Sequence, residues 1–189
     1  MNKNMNLLRQ LVQMLDDQEL DLRIISQLLW IILHVFMDCF DMNSDIITLY
    51  LLVFNKCFIY VSNPSVPENL ILTSLWILNF FFTRKFKHKD ELSKLVDVLI
   101  EVIGRNKSNV MIVDKCFGIL SNMTNDNDFI KYFMKSEIIT LLLEDVENLE
   151  GKNEYNDSRK VILISILSNL CSGSDSRHTE VNINIVYNN

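Results

Sequence analysis

Residues 22–36, LRIISQLLWIILHVF, carry apolar side chains around nearly the whole circumference of a helix. A helix of a globular protein shows this pattern when it is packed on more than one side. Residues 68–82, ENLILTSLWILNFFF, repeat it directly behind Pro67, a residue that suits the start of a helix. We therefore expect two inner helices that lie among other helices.

Apolar residues recur at spacings of three and four along most of the chain, and helix-breaking residues are rare. The 189 residues include 4 Gly and 2 Pro, and 49% of them are hydrophobic. This pattern predicts an all-α protein. The helices are expected at residues 5–15, 22–36, 46–61, 68–82, 92–103, 109–123, 129–134, 138–149 and 158–170.

The helices also repeat along the chain. Trp30 and Trp76 hold matching places 46 residues apart, and the string LSNM at 120–123 returns as LSNL at 167–170, 47 residues later. A helical repeat of this length is typical of a right-handed α-solenoid, an α-α superhelix whose units bury one another's apolar faces. We expect about four repeats, at about 5–38, 40–84, 86–126 and 128–173, and a polar tail at 174–189. Uncapped solenoid ends would favour self-association.

Four strings occur in a fixed order: QLLW with HV and D in 27–38, SLWIL with FF and RK in 74–85, DKCFGI at 114–119, and SNLCSGSD at 168–175. They resemble the helices Q-x-x-W-A-L-G-N-V-A-G-D, L-W-T-L-S-N-F-F-R-x-K, D-x-C-W-A-L and G-N-I-V-T-G-x-D of the armadillo family, in particular the central repeats of importin-α (karyopherin-α). The third match continues without gaps to Ile130. The resemblance implies an armadillo-type solenoid, truncated and degenerate relative to that family.

What the resemblance implies is a concave groove that binds the basic nuclear localisation signals of cargo proteins. In that family, indoles cradle lysine and arginine stems, asparagines hold the peptide backbone, and acidic residues pair with the cations. Carried over by position, the peptide-binding residues are Trp30, Trp76 and Phe117 at aromatic places, His34, Phe80, Ser121 and Asn169 at amide places, and Asp38, Asp114 and Asp175 at acidic places. The fourth aromatic place holds Ser165. A rival register in the third repeat puts Gly118 and Asn122 at the aromatic and amide places.

The match departs from importin-α in two ways. Of the four amide places, only residue 169 is an asparagine. Each of the other three loses a hydrogen bond to the peptide backbone, which would contribute roughly 0.5–1.5 kcal/mol to binding. The first ten residues contain only Lys3 and Arg9 as basic residues, so they do not resemble the segment that binds importin-β, and importin-β is a doubtful partner.

The leading expectation is therefore an importin-α-like adaptor that works in nuclear protein import, in the cytoplasm and nucleus. The alternative is an armadillo scaffold that binds another protein partner and has lost signal binding. A remote alternative is a helical membrane protein. The longest uncharged apolar runs, 24–37 and 69–83, are however shorter than the roughly 20 residues that span a bilayer.

The sequence contains no pattern that indicates catalysis, a cofactor or a metal site. The glycines are isolated, and His34, His88 and His178 lie in different parts of the chain, none within four residues of a cysteine or another histidine. The four cysteines have no paired spacing, which fits a reducing compartment. The net charge of −6 disfavours nucleic acid as a partner, and the basic run at 84–89 is interpreted as a solvated connection. We expect a protein that is not an enzyme.

Overall fold

The computed structural model describes residues 3–17, 19–38, 44–83, 89–125, 130, 132–133, 138–148 and 154–171. Within these ranges every regular element is helical and no strand occurs, which confirms the all-α prediction. The helices with described bounds are α1 (Lys3–Met14), α2 (Leu22–Met37), α3 (Ser44–Ser62), α4 (Glu68–Thr83), α5 (Lys89–Arg105), α6 (Val110–Thr124), α7 (Ile138–Asn148) and α8 (Glu154–Cys171). Of the predicted helix 129–134, residues 130, 132 and 133 are described, and all three are helical.

Local signals in the sequence explain where several helices begin. The side chain of Asp21 accepts a hydrogen bond from the Arg23 backbone N–H at 2.7 Å, which caps α2. Asn109 caps α6 in the same way. The Pro67 carbonyl accepts the first two backbone bonds of α4. The predicted start of the last helix at residue 158 is wrong, because α8 already begins at Glu154. Acidic residues suit the first turn of a helix, so their presence there does not mark a loop.

The chain divides into two compact units, Met1–Phe81 (unit 1) and Phe82–Asn189 (unit 2). In unit 1, α1 packs against both α2 and α3. The buried hydroxyls of Ser26 on α2 and Thr73 on α4 lie 3.0 Å apart, and the rings of Phe36 and Phe81 lie 6.0 Å apart. The two residues of each pair are 47 and 45 positions apart in the chain, and the second contact lies further toward the C-terminus of both helices. α2 and α4 are therefore parallel neighbours.

α1 and α3 are parallel as well. Arg9 near the middle of α1 forms an ion pair with Asp45 at the start of α3. Asp16, just after α1, pairs with Lys56 further along α3 at 2.9 Å. Unit 1 therefore consists of two helix hairpins, α1–α2 and α3–α4, in which α1 lies beside α3 and α2 lies beside α4.

Unit 2 has the same arrangement. α6 packs against α5 and α8, and α7 packs against α8. Arg159 near the start of α8 bonds to Asp114 near the start of α6, and Asn169 near the end of α8 bonds to Thr124 at the end of α6. Both pairs are 45 residues apart, so α6 and α8 also run in parallel.

One helix in the described part of the chain is long and apolar enough, by length and composition, to cross a membrane: residues 45–62 of α3. This span is not among the longest uncharged apolar runs of the sequence, because Lys56 interrupts it. In unit 1 the helix buries Tyr50, Val53 and Phe54 to 1% exposure or less, and Lys56 pairs with Asp16. The span therefore packs along one face as a core helix of unit 1.

Candidate binding surface

Three aromatic rings lie together on the outside of α2 and α4. The ring centroids of Trp30 and Trp76 are 6.1 Å apart, and their planes are tilted by 44°. His34, one turn after Trp30 on α2, stacks against the Trp30 ring at 6.2 Å with an angle of 27°. The parallel packing of α2 and α4 brings the two indoles together, because each lies a similar distance beyond the Ser26–Thr73 contact. We call Trp30, His34 and Trp76 the aromatic row.

The aromatic row is accessible to solvent. Trp76 is 40% exposed, Trp30 is partly exposed, and His34 is exposed. Tryptophan is usually highly buried, so an exposed indole pair in contact with a histidine marks a candidate binding surface. The face of an indole attracts a lysine or arginine cation, with a contribution of about 0.5–2 kcal/mol.

The contact between the two indoles differs from the open slot that the resemblance implies. An aliphatic stem held between two ring faces needs about 7–8 Å, which is twice the optimal distance of 3.5–4.0 Å between carbon atoms. The 6.1 Å between the centroids leaves no such space. A bound cation would therefore lie over the exposed surface of Trp76 and the edge of Trp30 and not between the rings.

Asp38 lies at the C-terminal end of α2, where its backbone N–H donates to the His34 carbonyl at 3.2 Å. Its side chain is exposed. Eight residues separate Asp38 from Trp30, which places it about 12 Å further along the helix axis. The carboxylate can therefore meet a second cation of an extended ligand, two turns beyond the indole.

Phe80, predicted at an amide place, is half-buried. Its ring centroid lies 6.3 Å from that of Tyr50 and 6.3 Å from that of Phe81, so the side chain borders the aromatic core of unit 1. It supplies packing and cannot supply the hydrogen bonds of an asparagine.

In unit 2, Phe117 does not fit the predicted aromatic slot. Its exposure is 0%, and it shares the buried face of α6 with Val113, Cys116 and Leu120. A side chain enclosed on that face cannot offer its ring to a peptide. The rival register, Gly118 and Asn122, lies on the partly exposed side of the same helix.

The side chains of two further predicted residues, Asp114 and Asn169, form hydrogen bonds within unit 2. The Asp114 carboxylate accepts a hydrogen bond from Arg159 Nε at 2.5 Å. The Asn169 amide donates to the Thr124 hydroxyl at 3.1 Å and to the Asn125 side-chain oxygen at 3.0 Å. Ser121 is half-buried, and its carbonyl accepts from the Thr124 hydroxyl. Asp175 lies outside the described residues.

An ionic cluster around Arg159, which sequence reasoning missed, lies at a pocket of about 220 Å³ in unit 2. Arg159 is 9% exposed and bonds to Asp114, while its Nη1 lies 3.7 Å from Asp145 Oδ2, an oxygen without a hydrogen-bond partner. Partial burial raises the pKa of Asp145, and the nearby Arg159 charge opposes that shift. Only tertiary packing brings these residues together, since Arg159 follows Asp114 by 45 positions. The pocket is lined by Ile103, Lys107, Val113, Leu141, Glu144, Asp145 and Arg159.

The structure thus brings together Trp30, His34 and Trp76, keeps Asp38 accessible on the same helix as the first two, and ties Asp114 and Asn169 to neighbouring side chains. Across the described ranges, no group of three or more His, Cys, Asp or Glu side chains could hold a metal ion. A scan against protein-family models and searches of curated proteins and of solved structures found no match to this chain.

Proposed function

We propose that this chain is an armadillo-type α-solenoid that binds a basic linear peptide over the aromatic row of unit 1. In the cell it would act as an importin-α-like adaptor for proteins that carry a nuclear localisation signal, in the cytoplasm and nucleus. The observation that carries the proposal is the solvent-exposed contact between Trp30 and Trp76.

The solenoid part of the proposal is supported by the helix pairing within each unit. α2 and α4 in unit 1, and α6 and α8 in unit 2, are parallel neighbours with residues about 45–47 positions apart in contact. Helices related by one repeat length pack side by side in this way in stacked helical repeats. A two-helix hairpin of this kind cannot bury its own apolar face without the next one.

The peptide part is supported by the chemistry of the aromatic row. The indoles of Trp30 on α2 and Trp76 on α4 present π faces, and the exposed Asp38 carboxylate at the end of α2 adds negative charge. The net charge of −6 favours the approach of a basic ligand. Because the indoles touch each other, the cation would be held on one side only, so we expect the contribution of each ring at the lower end of about 0.5–2 kcal/mol.

The test is a titration with a Lys/Arg-rich peptide, followed by anisotropy of a labelled peptide and by intrinsic fluorescence. The chain has two tryptophans, Trp30 and Trp76, so its intrinsic fluorescence reports the proposed site directly. Binding should change that emission, and Trp76→Ala should weaken affinity about 3–10-fold, since roughly 0.5–1.5 kcal/mol is lost. Ile59→Ala is the control, because it removes an exposed apolar side chain of unit 1, 56% exposed against 40% for Trp76, outside the aromatic row.

The proposal fails if the peptide does not bind, or if binding is unaffected by both Trp30→Ala and Trp76→Ala. A peptide of the same length with glutamine in place of each basic residue separates charge recognition from non-specific adsorption. Its binding with equal affinity would also refute a basic-peptide site.

A second candidate is an armadillo scaffold that binds a different protein partner. It is favoured by the burial of Phe117 and by the bonds that engage Asp114 and Asn169 within unit 2, so these three predicted residues are used in packing and internal bonding. Recovery of one stable partner that lacks a basic linear motif, and whose binding survives Trp76→Ala, would support the scaffold over the adaptor.

A further inference from the structure

The first two helices of unit 1 each expose an apolar pair on the side opposite their parallel neighbour. On α1, Leu7 and Met14 are 46% and 47% exposed, whereas Arg9 reaches α3. The two apolar residues lie two positions before and five positions after Arg9, which is about 160° and 140° around the helix from it. They therefore face away from α3.

The same geometry occurs on α2. Ile24 and Ile31 are 51% and 49% exposed, whereas Ser26 contacts α4. They too lie two positions before and five positions after the contacting residue, so they point away from α4. We call Leu7, Met14, Ile24 and Ile31 the N-face, because they form the side of unit 1 that a preceding hairpin would cover.

α8 of unit 2 exposes the corresponding surface on its other side. Val161 and Ile164 are 67% and 59% exposed, whereas Arg159 reaches α6. They lie two and five positions after Arg159, again about 160° and 140° around the helix from the contact. We call Val161 and Ile164 the C-face, the side of unit 2 that a following hairpin would cover.

We propose that the N-face of one copy of this chain packs on the C-face of the next, so that the protein self-associates head to tail. The helix packing inside each unit supports this arrangement. There, one side of a helix already meets the opposite side of its parallel neighbour, as Ser26 meets Thr73 and Asp114 meets Arg159. A second copy whose N-face packs on the C-face of the first in the same way buries both apolar faces.

Such an interface joins two different surfaces, and it does not close on itself unless the rotation forms a ring. We therefore expect the weight-average mass to rise with concentration, from the 22.1 kDa of one chain to values beyond the dimer. The inference does not depend on peptide binding, since neither face includes Trp30, His34 or Trp76.

The experiment is sedimentation equilibrium of the 189-residue chain from about 1 µM to about 1 mM, with variants that block one face each. Ile24→Lys with Ile31→Lys blocks the N-face, and Val161→Lys with Ile164→Lys blocks the C-face. Leu52→Lys with Ile59→Lys is the matched control, because these α3 side chains are 49% and 56% exposed and belong to neither face. All substituted positions are solvent-exposed, and far-UV circular dichroism verifies the fold of each variant.

The wild type and the control should associate, and each blocked variant alone should remain a monomer. An equimolar mixture of the two blocked variants retains one intact N-face and one intact C-face, so it should form a 1:1 dimer of twice the monomer mass and nothing larger. A monomeric wild type over the whole range overturns the proposal. So does a mixture that stays monomeric while the wild type associates, because that result indicates a symmetric contact or non-specific association.

Discussion

Replacing Arg159 with methionine should destabilise unit 2, because this guanidinium is the buried link between α8, α6 and α7. Arg159 is 9% exposed, donates to Asp114 Oδ1 at 2.5 Å and lies 3.7 Å from Asp145 Oδ2. A hydrogen bond to a charged group contributes about 1.5–3 kcal/mol. Its removal also leaves two carboxylates, each 26% exposed, close together without their cation.

We expect Arg159→Met to lower the free energy of unfolding by about 2–4 kcal/mol, since removing one partner of a buried ion pair leaves an uncompensated charge. The assay is urea unfolding followed by far-UV circular dichroism, which reports the helices of unit 2, where no tryptophan lies. With a slope of about 2 kcal/mol/M, the midpoint should fall by about 1–2 M.

A double-mutant cycle tests the reasoning behind that number. Arg159→Met combined with Asp114→Leu replaces both charges by apolar groups, so it should recover part of the loss. A loss below about 1 kcal/mol for Arg159→Met would refute the buried-link interpretation. A double variant no more stable than Arg159→Met alone would contradict the charge argument and point to lost packing of the arginine stem instead.

Three further predictions follow from other contacts. Burial raises the pKa of Asp145 above 3.8 in the folded state, so the charge of its carboxylate opposes folding increasingly as the pH rises through that pKa. The Asp145→Asn variant should therefore be more stable than the wild type at neutral pH and lose that advantage below about pH 4. Urea unfolding at each pH measures the difference. In the buried hydroxyl pair, Thr73 donates to the Asn69 carbonyl, so Ser26 must donate to Thr73. Thr73→Val, which orphans the Ser26 donor, should cost about 1–3 kcal/mol, and Ser26→Ala no more than about 1 kcal/mol; equal losses in tryptophan-monitored unfolding would contradict this order. Burial raises the pKa of the Cys57 and Cys116 thiols, so both should resist iodoacetamide in the folded chain and react only in urea, whereas half-buried Cys171 should react before either of them. Peptide mass mapping that finds Cys57 or Cys116 modified as fast as Cys171 would contradict this order.

The positions of the helices were predictable because the signals are local. α2 and α4 run from 22 to 37 and from 68 to 83, one residue beyond the predicted ends, since apolar periodicity and the signals at Asp21 and Pro67 act within a few residues. The start of α8 was not predicted, because polar residues occur both in the first turn of a helix and in loops, and local sequence does not distinguish the two. The α3 span was missed because a single lysine interrupts the apolar run.

The candidate site was predictable in part. The spacing of 46 residues marked Trp30 and Trp76 as equivalent positions, and the structure places them side by side. The contact between the two indoles depends on the tertiary packing of α2 beside α4, whereas His34 stacks on Trp30 from one turn further along the same helix.

By itself, the sequence of this protein determined the helical class, the repeat spacing and the helix bounds to within a few residues, because apolar periodicity, caps and prolines act on neighbouring residues. Only the tertiary structure decided which side of each helix is covered. Phe117 and Trp76 are both aromatic residues in long apolar helices, yet the first is fully buried and the second is 40% exposed. The difference lies in the helices packed beside them, and the exposure of a side chain depends on neighbours that are about 45 residues away in the chain.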